Sequence, residues 1–385
     1  MSLASFLGRG GASLPGLLDG GDVRMVSSGR IAIGLALRAM GVGPGDTVLV
    51  PAYHSPSMIP PVHWCGAAVV FYRIRPDTTP DLEDIAARID GSVKAVMATH
   101  FFGFPQDLAP LRALCDAHGL KLLEDCAHAF FGHHAGTPVG ATGDYAIGSS
   151  MKFYPIYEGG CLVSRRHRLD QSLRSAGPGF EAKAALAALE AAFSHGRLHG
   201  LRLLLALPLR LKSAVWNALK SRRPAGAASP ALAPDSSDSS FNFDPRWIDK
   251  RSSLFSRLTI RLASRGRIVA LRRRHYLLLQ ETLQEVPGCR PLFPALPEGA
   301  CPWIFPVLVD HADAVAASLH ADGVPMVRFG ATLWPGVDAS VCANSAALGR
   351  HLIGFPCHQE LRASELAWMR AAIRRACAAA PALAA

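Results

Sequence analysis

Between residues 25 and 165, apolar runs of strand length alternate with helix-like stretches, and this alternation restricts the fold more than any other feature of the chain. The runs are TVLVP (47–51), AAVVFYRI (67–74), VKAVMATH (93–100), LKLLED (120–125) and GCLVS (160–164). Helical character appears between them in GRIAIGLALRAMG (29–41) and DLAPLRALCDAHG (107–119). The second stretch opens on Asp107, an N-cap candidate, and closes on Gly119. Strands and helices taken in turn predict an α/β fold, with a mostly parallel sheet covered on both faces. Ligands of such sheets bind at the carboxyl ends of the strands. Asp125 stands at one of these ends.

The rest of the chain reads differently. AKAALAALEAAF (182–193) is helical by composition, and residues 224–240, rich in Pro, Ala and Ser, read as a linker. A long basic helix is expected from residue 245. Strands are expected in PWIFPVLV (302–309) and VPMVRFG (324–330), and a final helix from near Ser364. The predicted organisation is a large domain over 1–240, with a basic amphipathic insert at about 183–240. A connecting helix and a smaller C-terminal α+β domain follow over 241–385.

With 385 residues, half of them hydrophobic, the chain is long enough for two domains. The formal net charge of +10 is uneven. Residues 191–234 hold seven Lys/Arg and no acid; residues 245–274 hold ten Lys/Arg and one acid. The remainder is net acidic, which fits a local anionic contact and argues against a nucleic-acid groove. The nine cysteines are scattered with no CxxC spacing, so reduced thiols in a cytoplasmic protein are expected, with neither disulfides nor a metal site. The N-terminal stretch lacks a basic n-region and reads as no signal peptide. No apolar run has membrane-spanning length.

Three local features carry chemistry. Ser27, Ser28 and Gly29 lie directly before a helix, where free N–H groups and the positive dipole end suit a phosphate; ordinary capping explains them equally. Asp125 ends a buried strand and needs a cation or several donors; a helix N-cap is the other reading. Lys152 lies in AIGSSMKFYPIYEGGCLVS, between two apolar runs and shortly before Gly159 and Gly160. There it either snorkels outward or does chemistry. Pyridoxal phosphate needs all three features. Its phosphate takes N–H groups, its aldehyde takes a lysine amine, and its pyridine nitrogen takes a carboxylate that keeps it protonated.

In order and spacing, SSGRIAIGLALRAMGVGPGDTVLVPAY, HGLKLLEDCAHAFFG and GDYAIGSSMKFYPIYEGG resemble the DegT/DnrJ/EryC1/StrS sugar aminotransferases. The resemblance implies pyridoxal-phosphate fold type I. It makes Lys152 the Schiff-base lysine and Asp125 the partner of the pyridine nitrogen. His128 takes the place of the family's glutamine beside the ring hydroxyl. Ser28, Gly29 and Arg30 take the phosphate turn, with Ser149 as a phosphate hydroxyl. The chain departs from the family at Arg30, where threonine is usual, and at Ser55, where most members carry a stacking aromatic; His54 or Tyr53 are the candidates to replace it. The spacing from Asp144 to Lys152 is two residues shorter than in many members. DKRSS (249–253), with Lys250 and Arg251, is the nearest match to the family's NxRM segment.

The implied reaction moves an amino group, from glutamate as donor, to a keto-sugar nucleotide for surface polysaccharide or glycan synthesis. The dehydratase relatives carry histidine in place of the lysine, so Lys152 favours transfer. Arg328 and Trp334 are the candidate substrate contacts. A homodimer is implied, with active sites at the interface and residues 242–257 reaching across it. Two rival readings are a non-catalytic cofactor-binding regulator or scaffold and another lysine-dependent enzyme such as a lyase. The basic amphipathic stretch 197–220 reads either as a helix pair packed on the cofactor domain or as a peripheral contact with anionic membrane at the cytoplasmic face.

Overall fold

The computed structural model describes residues 1–8, 13–205, 241–284 and 286–383. The linker at 224–240 and most of the 197–220 stretch lie outside the described residues. The large sheet is assembled from β1 (Asp22–Val26), β2 (Thr47–Pro51), β3 (Ala68–Tyr72), β4 (Val93–Thr99) and β5 (Lys121–Asp125). After a short hairpin, β6 (His133–His134) and β7 (Thr137–Pro138), it is completed by β8 (Tyr145–Gly148) and β9 (Gly160–Ser164). The strand order is β1-β9-β8-β5-β4-β2-β3. Neighbours from β8 through β3 pair in parallel, and β9 runs antiparallel to both β8 and β1. The expected mostly parallel sheet is therefore present. β1, too polar to stand out in the sequence, was not expected.

Side-chain alternation divides the sheet between two faces. Val48, Val50, Met97, Leu123, Ile147 and Leu162 join one buried cluster with α1 (Gly29–Ala39) and α2 (Ile59–Trp64). Leu49, Val96, Ala98 and Leu122 join another on the opposite face. That second cluster extends into the C-terminal segment, so the two sheets share a core. α1 is apolar on nearly every side and accordingly buried. Ser28 caps it by accepting from the Ile31 amide at 3.3 Å. Three further helices follow: α3 (Leu82–Ala87), α4 (Ala109–Ala117) and α5 (Pro178–Ser194). The N-cap of α4 is Leu108, one residue past the expected Asp107, whose carboxylate accepts from the Ala109 amide; Gly119, at φ +66°, ends the turn as expected.

The short α6 (His199–Leu204) is the described part of the basic stretch; Leu203 and Leu204 are 78% and 79% exposed there. Beyond residue 241 the expected single basic helix is broken into α7 (Leu254–Leu262) and α8 (Arg265–Leu283). Ala263 is extended, and Ser264 re-caps the chain through the Arg267 amide. A small antiparallel sheet follows, β10 (Cys289–Pro291), β11 (Ile304–Val309) and β12 (Leu352–Pro356), covered by α9 (Ala312–Ala321), α10 (Ala343–His351) and α11 (Ala363–Leu383). The strand expected at 324–330 does not form: Val327 makes one isolated bridge to Gly354, and the third strand comes from 352–356 instead. Polar Arg328 and the turn at Gly330, φ +78°, break the run. All nine cysteines are free thiols. Among the described residues no helix is long and apolar enough to cross a membrane.

Candidate active site

The carboxyl ends of β4, β5 and β8 open onto a cavity against the N-terminus of α1. Ser28, Gly29, Arg30, Asp125, His128, Ser149 and Lys152 all line it. The local geometry explains why the two glycines precede β9. A Cβ on Gly160 would lie 2.3 Å from the Ser28 carbonyl carbon and 2.5 Å from the Gly29 nitrogen. Only glycine lets β9 pass this close to the turn. Gly159, at φ +138°, donates to Ser27 O at 3.0 Å and fixes the two segments together. Beyond Gly159, Glu158 is buried and accepts from the Ser253 amide and from the Ser252 and Ser253 hydroxyls. Burial pushes its carboxyl pKa up, against the downward pull of these donors.

Asp125 is 4% exposed and accepts from the Ala127 amide at 2.9 Å. No helix begins there: β5 leads into a turn and then the β6–β7 hairpin, so the helix-cap reading does not apply. Beside it on β4 stands Thr99, whose register partner is Asp125. The Thr99 hydroxyl is buried without a hydrogen-bond partner, and so is Nδ1 of His128. Both residues line the cavity. The His128 ring stacks on Trp303 at 4.0 Å between centroids and meets Phe329 edge-on at 4.9 Å. Burial, with the nearby Lys152, lowers the His128 pKa well below the usual histidine range, so its ring is neutral. Lys152 Nζ lies 4.5 Å from the Trp303 ring centroid. The Arg30 guanidinium donates to Asn242 O, bringing the chain after residue 241 to the helix start.

Three sequence candidates lie elsewhere. His54 does not line the cavity: its Nδ1 meets the carbonyls of Pro51 and Ala52, its Nε2 accepts from the Trp334 amide at 3.1 Å, and its ring stacks on Phe71. Burial lowers its pKa to about 4. Arg328 turns to the small sheet's helices, pairing with Asp313 at 2.9 Å and donating to Arg350 O. Trp334 packs against His63 and Phe241. Neither Arg328 nor Trp334 lines the cavity, although Phe329 does. Lys250 and Arg251 are also absent from its lining; Lys250 pairs with Asp249. Ser55 lines the cavity where the resemblance calls for an aromatic, and its hydroxyl meets that of Ser57 at 2.7 Å. Sequence reasoning missed Thr99, Ser57 and Trp303. Thr99 alone carried a signal, as the polar end of an apolar strand.

Residues 21–185 match the DegT/DnrJ/EryC1/StrS aminotransferase family. Over 142 residues the chain is 39% identical to a GDP-perosamine synthase of Vibrio cholerae, covering 36% of this chain and 39% of that protein. Over 152 residues it is 34% identical to a UDP-N-acetyl-3-dehydro-alpha-D-glucosamine 3-aminotransferase of Acidithiobacillus ferrooxidans, covering 38% and 41%. The chain thus spans about two fifths of the length of these curated relatives. The fold extends further. The crystallographic aminotransferase from Psychrobacter cryohalolentis superimposes with a TM-score of 0.64 at 20% identity, covering 95% of this chain and 89% of that one. Every residue of the cavity lining except Phe329 falls within the family segment.

Proposed function

We propose that the cavity holds pyridoxal 5'-phosphate and that the chain is an aminotransferase acting on a keto-sugar nucleotide, with glutamate as amino donor. The observation that carries this reading is the pair of partnerless buried atoms, Thr99 Oγ1 and His128 Nδ1, lining the same cavity as Asp125 and Lys152. Buried polar atoms without partners are costly, and a polar ligand in the cavity would satisfy them. The residues fit the cofactor. The Ser28–Gly29 turn at the start of α1, with Ser149 and Arg30, would take the phosphate. Asp125, buried at its strand end, would hold a proton on the pyridine nitrogen. His128, neutral and rigidly stacked, would meet the ring hydroxyl.

When bound, the cofactor supplies an aldehyde that accepts amines and a ring that stores the electrons of a breaking C–H bond. Lys152 Nζ would hold the cofactor and, once freed, would serve as the base that moves a proton at the substrate carbon. Asp125 would keep a proton on the ring nitrogen. The Trp303 ring, stacked on His128, covers one side of the Lys152 amine. The sugar-nucleotide acceptor is carried over from the names of the two curated relatives. A homodimer is part of the proposal, supported by the exposed stripe of Leu254, Leu258 and Leu262 on α7. So is a cytoplasmic location, with peripheral contact to anionic lipid through the basic stretch that α6 begins.

The test is to load the purified chain with the cofactor and add glutamate. The visible absorbance of the lysine-bound cofactor is expected to bleach and to return when a keto-sugar nucleotide is added. Cofactor binding with no bleaching across amino donors would favour the regulator reading, which Ser55 at the stacking position supports. Loss of carbon dioxide or water from an amino acid would favour a lyase.

A further inference from the structure

Arg272 is 2% exposed, and none of its hydrogen-bond partners is a carboxylate. From α8 its guanidinium donates through Nη2 to Lys152 O at 2.7 Å. Nη1 reaches the carbonyls of Pro302 and Trp303, each at 3.1 Å, and Nε reaches Gln359 Oε1 at 2.9 Å. The guanidinium carbon lies 4.5 Å from the Phe153 ring centroid. Gln359 in turn donates through Nε2 to Phe153 O at 2.7 Å. Two neighbouring carbonyls of the lysine turn are therefore held by one buried pair of side chains. Burying a cation with no carboxylate among its hydrogen-bond partners is expensive and persists only where its donors are well satisfied. A packing role alone would be met by an apolar side chain at lower cost.

The two anchored carbonyl groups at Lys152 and Trp303 belong to residues that meet again at their side chains, where Lys152 Nζ faces the Trp303 ring. Trp303 also stacks on His128, which lines the cavity. We infer that Arg272 and Gln359 are positioning residues: they set where the Lys152 amine sits relative to the cofactor pocket, by locking the lysine turn and the Trp303 loop to one planar group. The inference rests on the cofactor reading above. It also explains why segments at 152, 302–303 and 359 converge on one residue of α8. The small sheet's loops are tied to the lysine, so its placement depends on both parts of the chain. Reactive groups placed about 1 Å out of position lose roughly a hundredfold in rate.

The test separates covalent capture from simple binding, using the full chain freed of cofactor. Pyridoxal phosphate condenses with the Lys152 amine: a C=N bond forms, water leaves, and borohydride then adds hydride to that carbon and fixes the label. Pyridoxamine phosphate occupies the same pocket with no aldehyde to capture. Arg272→Lys keeps the positive charge but replaces the planar fork, so it cannot hold all four acceptors. It is expected to slow labelling of Lys152, followed by peptide mass, about tenfold or more. Pyridoxamine phosphate affinity, read from tryptophan fluorescence, is expected to stay within about threefold, the spread of such context effects. Gln359→Met is expected to act in the same direction with a smaller effect. Unchanged labelling in both variants overturns the inference, and so does an equal loss for the two ligands. Failure of both variants to fold makes the cluster a core element and overturns it too. Wild-type chain that takes no label at Lys152 sinks the cofactor reading and this inference with it, whereas normal wild-type labelling with unaffected variants sinks this inference alone.

Discussion

Glu124 and Asp125 are neighbours on β5, yet they serve opposite faces of the sheet. Glu124 shares its face with Leu122; both of its oxygens are taken, by His100 Nε2 at 3.0 Å and by the amides of Gly140, Thr142 and Gly143. Burial pushes its pKa up, and the His100 hydrogen bond, with the Gly143 and Gly140 amides, overcomes that and leaves it lowered from its ordinary value. Asp125 shares its face with Leu123 and stands in a cavity whose other polar walls include atoms with no partner. Burial alone therefore does not mark a functional carboxylate. A carboxylate whose surroundings are complete supports the fold, while one beside unsatisfied neighbours points to a ligand. The same distinction disposes of the cluster of His100, Glu124 and Cys126, whose donor atoms lie within 4.8 Å of one another. His100 Nδ1 already accepts from the Gln106 amide, and burial pushes the Cys126 thiol pKa well above its usual value. These are completed groups.

The largest effect is expected at Lys152. Lys152→Ala should lower amine exchange by at least roughly 10²–10⁴-fold, the range for a lost acid–base group, and abolish borohydride labelling, with a melting temperature close to wild type. Labelling that survives on another lysine would move the site. Paired variants on β5 distinguish the two faces. Asp125→Asn keeps an oxygen for the Ala127 amide but cannot hold the ring nitrogen protonated. A rate loss on the order of a hundredfold is expected, with the fold and cofactor binding retained. Glu124→Gln places an NH₂ group against an array of N–H donors. Its expected cost is about 3 kcal/mol of stability in urea unfolding, with the cofactor absorbance of the folded fraction unchanged. If the two variants exchanged these signatures, the distinction between the faces would be wrong.

A smaller effect concerns pH. His54 has its pKa lowered to about 4 by burial, so the unfolded chain takes up its proton first as pH falls. The stability held at neutral pH is therefore lost as pH drops from the ordinary histidine value toward 4, at up to ~1.4 kcal/mol per pH unit for this group. Urea unfolding across that range should show the slope, and His54→Gln should flatten it by that amount. An unchanged slope would mean that His54 is free to titrate in the fold. The smallest effect is expected at Arg328. Its partner Asp313 is 90% exposed at the side chain, so Arg328→Ala should cost below about 1 kcal/mol. The acceptor-sugar KM should not move. A large rise in KM would restore Arg328 as a substrate contact.

Much of the site was legible because its chemistry is tied to local sequence. A capped helix start, a strand-end acid and a Gly-Gly pair are short-range features, and strand alternation fixes which face each residue takes. Ser28, Gly29, Asp125 and Lys152 were picked out this way, while Arg30, His128 and Ser149 came from the family resemblance; all seven line the cavity. His54 was misplaced because its partners, the Trp334 amide and the Phe71 ring, come from distant parts of the chain. Arg328 was misplaced because sequence shows a cation near an expected cleft but not the helices that capture it.

The alternation that builds the large sheet, the glycines at 159 and 160 and much of the cavity lining are written locally in the chain. These follow from periodicity, backbone freedom and capping, which act over a few residues. Only the tertiary structure decided which buried polar atoms are completed and which are left open. It alone showed that Arg272, some 120 positions from Lys152, holds the carbonyl of that lysine. Hydrogen-bond satisfaction is a property of the assembled interior: a donor and its acceptor can lie anywhere along the chain, and only packing brings them together.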